Sequence, residues 1–322
     1  MLADSHYTDL DDGITAIDTD YLRPRMAASH LVVDGGRAAF VDTGTSHSLP
    51  WLLGALERAG LTRQAVDYVF VTHVHLDHAG GAGALMQALP EATAIVHPRG
   101  ARHLVDPTKL VAGTKAVYGE QAYAELYGEL PPIPRARIHT VEDNDRLWLG
   151  ERELVLIHTE GHARHHYCIY DPRSRGMFTG DSFGVSYREL DTATGAFIFP
   201  TTTPVHFDPP AAHASIERIL SYDPRACYLT HYSEVTGVRR LARDLHDCLD
   251  AFVGMAQRYA GSVDREARLR AAMFDFLSAR LDEHGFAGDA ASRHAVLDAD
   301  IALNVQGIEF WLDKQFAARK QA

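Results

Sequence analysis

The stretch Thr72-His73-Val74-His75-Leu76-Asp77-His78 places three imidazoles and a carboxylate within seven residues. It directly follows the apolar, β-branched run Tyr68-Val69-Phe70-Val71, which predicts a buried strand. Gly80-Gly81 and an alanine-rich helical pattern come after it, so the cluster is expected on a loop between a strand and a helix. There, His73 and His75 can project to one side while Asp77 and His78 turn towards a neighbouring position. This concentration of imidazole and carboxylate predicts a metal site.

Three other strand-like runs end in further donor residues. His162 follows a glycine after Leu154-Val155-Leu156-Ile157, Asp181 follows Phe178-Thr179-Gly180, and His231 follows Cys227-Tyr228-Leu229-Thr230. The two oxygens of the Asp181 carboxylate could bridge two cations. We therefore expect two ligand sets: His73, His75, His162 and Asp181 for one metal, and Asp77, His78, Asp181 and His231 for the other. Zinc is the expected metal, with iron or manganese as alternatives.

These motifs resemble the metallo-β-lactamase superfamily, in the binuclear branch that includes glyoxalase II and the quorum-signal lactonases. The HxHxDH core at 73–78, the Gly161-His162 turn, the Thr179-Gly180-Asp181 turn and Thr230-His231 occur in the family's order, and the resemblance covers roughly residues 14–238. It implies a four-layer αβ/βα sandwich with the metals at one edge between two sheets. Periodicity alone indicates alternating strands and helices, and it leaves a doubly wound sheet open.

Two comparisons within this superfamily refine the expectation. The main zinc β-lactamases carry a cysteine ligand where this chain has Asp181, which argues against antibiotic hydrolysis. Glyoxalase II enzymes have a second histidine four residues after the counterpart of His162, and His166 fills that place here, beside an extra His165. We expect His166 to orient ligands. The resemblance also suggests that Asp42, in the turn Asp42-Thr43-Gly44-Thr45, supports the metal loop by hydrogen bonds.

The remaining chain suggests a catalytic domain over 1–238 and a helical extension over 239–322. Asp34-Gly35-Gly36 predicts a hairpin turn, and the apolar residues after 238 recur at helical spacing. Residues 107–136 carry a helical pattern with three tyrosines and could form a lid over the site. His206, before a helix start at Asp208-Pro209-Pro210, is a candidate substrate contact.

Composition favours a cytoplasmic enzyme with a small-molecule substrate. The formal net charge of −12 argues against nucleic acid as a partner. The sequence starts without a signal-peptide pattern and shows no apolar run of the ~20 residues that span a bilayer, so no membrane association is expected. Three cysteines without CxxC spacing do not suggest a disulfide framework. A homodimer is possible through the helical extension.

The expected activity is metal-dependent hydrolysis of a small thioester, lactone or ester. Two cations sharing a water would lower its pKa towards ~7 and so supply a bridging hydroxide at neutral pH. Asp77, close to both metal and water, is the expected catalytic residue. Two alternatives stay open: a di-iron or mono-iron redox or oxygen-handling protein, including a persulfide dioxygenase, and a phosphodiesterase or nuclease, which the acidic charge disfavours.

Overall fold

Two mixed β-sheets dominate the computed structural model, which describes residues 4–202 and 205–321. The first sheet has seven strands in sequence order, antiparallel from β1 to β4 and parallel from β4 to β7. Its strands are β1 (Tyr7–Asp9), β2 (Ile14–Asp18), β3 (Ala28–Asp34), β4 (Arg37–Val41), β5 (Val66–Val71), β6 (Thr93–Val96) and β7 (Ile138–Thr140). The predicted hairpin is confirmed, since β3 pairs with β4 through Gly35 and Gly36, whose φ values of +54° and +80° suit glycine.

The second sheet has six strands in the order β13-β12-β11-β10-β9-β8. Its strands are β8 (Arg146–Leu149), β9 (Arg152–His158), β10 (Tyr167–Asp171), β11 (Gly176–Gly180), β12 (Ala226–Leu229) and β13 (Ser233–Thr236). β8 to β11 form an antiparallel meander, and β11 pairs with β12 in parallel. The four apolar runs that precede donor residues in the sequence are therefore the strands β5, β9, β11 and β12, as predicted.

One hydrophobic core lies between the facing sides of the two sheets. The first sheet contributes Val32, Val41 and Phe70, among others, and the second contributes Leu156 and Phe178. A second core covers the opposite face of the first sheet, where Leu52, Leu85 and Leu104 of three helices pack on its strands. Because β5 is buried in both cores, its carboxyl end holds the loop that follows it in a fixed place.

The described residues form ten α-helices in addition to several short 3-10 turns. They are α1 (Leu49–Arg58), α2 (Leu76–Ala79), α3 (Ala82–Ala88), α4 (Pro98–Val105), α5 (Thr108–Tyr118), α6 (Glu120–Tyr127), α7 (Pro209–Ser221), α8 (Val238–Tyr259), α9 (Arg265–Glu283) and α10 (Ala290–Gln321). The Asp208 side chain accepts a hydrogen bond from the backbone of Ala211 and so caps α7, as its position before two prolines predicts. The predicted fold class, two sheets with flanking helices and three further helices near the C-terminus, is confirmed.

The chain divides into two compact units. The first, called here the sheet unit, comprises residues 4–158, His165–Gly180 and Pro224–Glu234. The second, the helical unit, comprises Thr159–Arg164, Asp181–Asp223 and residues 235–321. Helices α8 to α10 thus share a unit with Asp181–Asp223, a segment that lies within the predicted catalytic domain 1–238. None of the helices in the described part of the chain is long and apolar enough to cross a membrane.

Candidate metal centre

The HxHxDH segment lies where the sequence predicts it, between β5 and the short helix α2. Val71 ends the strand and Leu76 begins the helix, with His75 in extended conformation just before it. Asp77 and His78 lie within α2, and the ring centroid of His78 is 4.1 Å from that of His73. His73 and His78 are buried, whereas the Asp77 side chain keeps 24% of its surface exposed.

His73 and His75 each direct one ring nitrogen towards the other residue. His73 Nε2 lies 2.9 Å from His75 Nδ1. Thr72 Oγ1 lies 3.2 Å from His73 Nδ1 and 2.9 Å from both carboxylate oxygens of Asp42. Because the hydroxyl donates to that carboxylate, its oxygen can accept from the His73 Nδ1–H, which leaves the lone pair on His73 Nε2. A ring oriented in this way is prepared to ligate a cation.

Asp77, His78 and His231 form a group whose ligand atoms all lie within 4.8 Å of one another. Asp77 Oδ2 is 3.2 Å from His231 Nε2 and 3.7 Å from His78 Nε2. His78 Nδ1 lies 2.8 Å from an Asp42 oxygen, and His231 Nδ1 lies 2.8 Å from the Met26 carbonyl oxygen. Both oxygens are acceptors, so each ring carries its proton on Nδ1 and presents the Nε2 lone pair towards Asp77. This donor set suits a divalent cation such as zinc, iron or manganese.

The fully buried carboxylate of Asp42 connects the loops that carry these ligands. It accepts hydrogen bonds from the Thr72 amide at 2.8 Å, His78 Nδ1 at 2.8 Å and Thr230 Oγ1 at 2.7 Å. Thr72 and Thr230 immediately precede His73 and His231 in the sequence. The sequence motifs contain both threonines but predict no role for them, although the position of each directly before a candidate ligand is a signal that could have indicated one.

In the helical unit, His162 and Asp181 lie together. His162 Nε2 is 3.3 Å from Asp181 Oδ2, and both side chains are nearly buried. The Thr201 carbonyl oxygen lies 3.2 Å from His162 Nδ1, so this ring also directs the Nε2 lone pair towards a carboxylate. Gly161 has a φ of +126°, and a Cβ there would lie 2.4 Å from the Ala212 amide nitrogen, so the turn requires glycine.

A small cavity of about 20 Å³ adjoins His162 and Asp181 within the helical unit. Its apolar wall is formed by Ile216 of α7 and by Leu245 and Leu249 of α8. The cavity is therefore polar at the candidate ligands and apolar at the two helices.

His166 is buried, with its ring centroid 4.8 Å from that of His73. A Cβ on Gly180, whose φ is +47°, would lie 2.6 Å from His166 Nε2 and 2.7 Å from Thr72 Oγ1, so the end of β11 packs closely on both. The neighbouring His165 accepts a long hydrogen bond from the Val74 amide at 3.5 Å. His206 lies half-buried in a turn of the helical unit before α7.

Residues 107–136, the predicted lid, contain α5 and α6 followed by a segment without regular secondary structure and the start of a 3-10 turn at Arg135–Arg137. Tyr123 and Tyr127 of α6 pack against Leu76, which lies between the ligand candidates His75 and Asp77. The Tyr127 hydroxyl is also 3.1 Å from that of Tyr21. The side chain of Tyr118, the third tyrosine of the pattern, lies outside the described residues. The segment thus contacts the metal loop through apolar packing.

The three cysteines are free and buried. Burial raises the pKa of the Cys227 thiol well above its usual range, with a smaller contribution from the nearby Cys168. Because the thiolate is the metal-binding form, this burial disfavours ligation by Cys227. The candidate ligands are therefore nitrogen and oxygen donors.

Comparison with known proteins agrees with this fold. ST1585 of Sulfurisphaera tokodaii, a metallo-beta-lactamase fold-containing protein, is 27% identical over 212 residues, which cover 65% of this chain and 73% of that protein. The hydroxyacylglutathione hydrolase of Fuscovulum blasticum is 27% identical over 234 residues, 73% of this chain and 72% of the relative. The acyl-coenzyme A thioesterase MBLAC2 of Gallus gallus is 30% identical over 116 residues, but these cover only 34% of this chain and 39% of that enzyme.

The crystal structure of ST1585 from Sulfolobus tokodaii has the same fold, with a TM-score of 0.64 at 22% identity, covering 93% of this chain and 99% of that one. The family model of the metallo-beta-lactamase superfamily matches residues 22–231. That range contains every candidate ligand from His73 to His231 and most of both sheets. The chain belongs to the metallo-beta-lactamase superfamily.

Proposed function

We propose that this protein is a binuclear metal-dependent hydrolase that cleaves a small thioester, lactone or ester. The observation that carries the proposal is the convergence of Asp77, His78 and His231, with both imidazoles held in the tautomer that offers Nε2. The names of two relatives, a hydroxyacylglutathione hydrolase and an acyl-coenzyme A thioesterase, support a hydrolytic reaction and favour a thioester.

The first metal would be held by His73, His75, His162 and Asp181, and the second by Asp77, His78, His231 and Asp181. Two short distances support this division: His73 Nε2 lies 2.9 Å from His75 Nδ1, and His162 Nε2 lies 3.3 Å from Asp181 Oδ2. A bound divalent metal lowers the pKa of a coordinated water towards ~7 and polarises a carbonyl oxygen. Zinc is the proposed metal because imidazole and carboxylate with an open position are typical of catalytic zinc.

The protein's own groups would then orient the reactants. Asp77 is the partly exposed member of its group, so its carboxylate can accept a proton from an attacking water or hold that water in line. Asp42 keeps the proton of His78 on Nδ1, and the Met26 carbonyl does the same for His231. The cavity beside His162 has an apolar wall of Ile216, Leu245 and Leu249, and its volume of about 20 Å³ would admit a substrate group no larger than a methyl.

Elemental analysis and a substrate panel test the proposal together. Protein purified without added metal should contain two zinc ions per chain and hydrolyse thioesters or lactones. Asp77→Asn should lower kcat/KM by at least ~100-fold, the scale of a lost proton-transfer group. Asp9→Asn is the matched control, since Asp9 is an exposed carboxylate paired with Arg58.

Other outcomes would redirect the assignment. Two irons per chain without ester or thioester turnover would replace the hydrolase with a redox or oxygen-handling protein. Turnover of phosphodiesters alone would make the protein a phosphodiesterase. A protein that binds no metal would contradict the proposal altogether.

A further inference from the structure

Helices α7 and α8 of the helical unit each present a histidine to the other helix. The rings of His213 of α7 and His246 of α8 are nearly parallel, at 6°, with their centroids 4.9 Å apart. Their Nδ1 atoms are only 2.6 Å apart. Each helix also carries an acidic residue four positions later, Glu217 on α7 and Asp250 on α8.

The two carboxylates determine which ring nitrogens carry protons. His246 Nε2 is 2.8 Å from a Glu217 oxygen, and His213 Nε2 is 3.3 Å from an Asp250 oxygen. An ionised carboxylate only accepts hydrogen bonds, so each neutral imidazole donates from Nε2 and keeps a lone pair on Nδ1. The two Nδ1 lone pairs then face each other at a distance where they repel, unless a cation lies between them.

We propose that His213 and His246 form a metal site between α7 and α8, separate from the candidate catalytic centre, that takes a divalent transition-metal ion such as Zn²⁺. A metal-binding histidine characteristically donates its other ring N–H to a carboxylate. Here His246 Nε2 is hydrogen-bonded to Glu217 across the helix pair, and Asp250 lies 3.3 Å from His213 Nε2. The two carboxylates and two neutral imidazoles sum to a charge of −2, which a divalent cation neutralises. Imidazole nitrogen is a preferred ligand for zinc, copper and nickel.

The geometry permits an ion to enter. The side chains of His213 and His246 are 29% and 23% exposed, so the site opens to solvent. With Zn–N bonds of ~2.0–2.1 Å and a tetrahedral angle, the two nitrogens would separate to ~3.3 Å. This requires a small outward rotation of two partly exposed side chains, and water would complete the coordination.

The ion would link two helices that also form a wall of the cavity near His162. Ala212 and Leu245, which directly precede His213 and His246 in the sequence, both line that cavity. The proposed metal site and the cavity wall are therefore formed by the same helix pair.

Zinc stoichiometry of the full chain tests the site. After equilibrium dialysis against Zn²⁺, wild-type protein should retain one more ion per chain than His213→Ala or His246→Ala. His294→Ala is the matched control, because His294 is an exposed helical histidine that pairs with Asp298 four residues later on α10. This control should bind as many ions as the wild type.

Glu217→Gln and Asp250→Asn keep both imidazoles and carry the test if a histidine variant fails to fold. Each should weaken binding of the extra ion by about 10–100-fold, the usual effect of losing a carboxylate behind a metal-binding histidine.

With Cu²⁺ as the probe, the electron paramagnetic resonance spectrum of the wild type should show coupling of the copper to two nitrogens, and this coupling should be reduced in His213→Ala. Equal zinc stoichiometry in wild type, His213→Ala and His246→Ala would overturn the proposal, whatever the catalytic centre binds. The short distance between the two Nδ1 atoms would then be explained by a proton shared between the rings.

Discussion

At the residue scale, the carboxylate of Asp42 organises the candidate centre without being placed among its ligands. It accepts hydrogen bonds from His78 of α2 and from two threonines, Thr72 after β5 of the first sheet and Thr230 after β12 of the second. Because Asp42 is buried, removing its carboxylate would leave these donors without acceptors in the core, and each such donor lowers the free energy of unfolding by ~1–3 kcal/mol.

Replacing Asp42 by asparagine should therefore affect metal binding as well as folding. The amide presents an NH₂ donor to groups that are themselves donors, which frees the tautomer of His78. We expect metal affinity to fall by about 10–100-fold, measured by competition with a chromogenic chelator. Asp171→Asn is the control: Asp171 is equally buried but pairs with Arg152, so its loss should reduce stability and leave metal affinity unchanged. An unchanged affinity in Asp42→Asn would refute the orienting role.

His30 provides a prediction about pH. Burial lowers its pKa to about 4, against a smaller opposing effect of Asp42, and its Nε2 lies 3.3 Å from the Ser233 hydroxyl. In the unfolded chain the imidazole binds a proton near pH 6.5, whereas in the folded chain it does so only near pH 4. The free energy of unfolding is therefore unaffected by His30 above pH 6.5, and it decreases by about 3 kcal/mol in total as the pH falls from 6.5 towards 4.

Urea unfolding of chelator-treated protein at pH 7.5 and at pH 4.5 checks this expectation. His30→Gln should lose less stability on acidification than the wild type, because one proton fewer is taken up on unfolding. His139→Gln, at an exposed histidine, should behave like the wild type. Identical acid sensitivity of all three proteins would contradict the assignment.

At the element scale, α6 supports the metal loop through Leu76. This leucine is 6% exposed and packs with Tyr123 and Tyr127, so α2 is held by its apolar side while its polar side carries Asp77 and His78. The α5–α6 segment thereby has a structural role in the described chain. Its role as a lid over substrate stays a prediction.

Truncating Leu76 to alanine should destabilise the protein by ~2–5 kcal/mol, the range for buried leucines that leave a cavity. Chemical denaturation measures the loss. Leu22→Ala serves as control, because Leu22 is 57% exposed and its truncation should change stability by ~0.5 kcal/mol or less. A near-neutral Leu76→Ala would show that α6 does not hold the loop.

On the scale of the whole molecule, metal binding should contribute to the stability of the fold. The candidate ligands follow strands from both sheets, so an ion bound by them would connect parts of the chain more than 150 residues apart, such as His73 and His231. A ligand that binds only the folded state stabilises it according to its concentration relative to Kd.

Chelation should accordingly lower the melting temperature, and added Zn²⁺ should restore it. At a free ion concentration of 100 times Kd the stabilisation is ~2.7 kcal/mol per site. His231→Ala should show a smaller response to added Zn²⁺, whereas His139→Ala should respond as the wild type does. If chelation leaves the melting temperature of the wild type unchanged, metal is not coupled to folding in this protein.

Much of the candidate centre was predictable because its side chains are local signals. Each of His73, His162, Asp181 and His231 follows a short apolar run, and those runs are β5, β9, β11 and β12. Strand periodicity and the placement of polar side chains at strand ends are properties of a few consecutive residues, so they can be read before the chain folds.

The orientation of these side chains depended on tertiary contacts. His231 is fixed by the Met26 carbonyl and His162 by the Thr201 carbonyl, groups that every residue type possesses and that therefore leave no mark in the sequence. The pairing of His213 with His246 likewise arises only when α7 and α8 pack together. By itself the sequence determined which donors are present and where each strand delivers them. The tertiary structure decided which nitrogen of each ring is available, because that depends on acceptors brought close by folding.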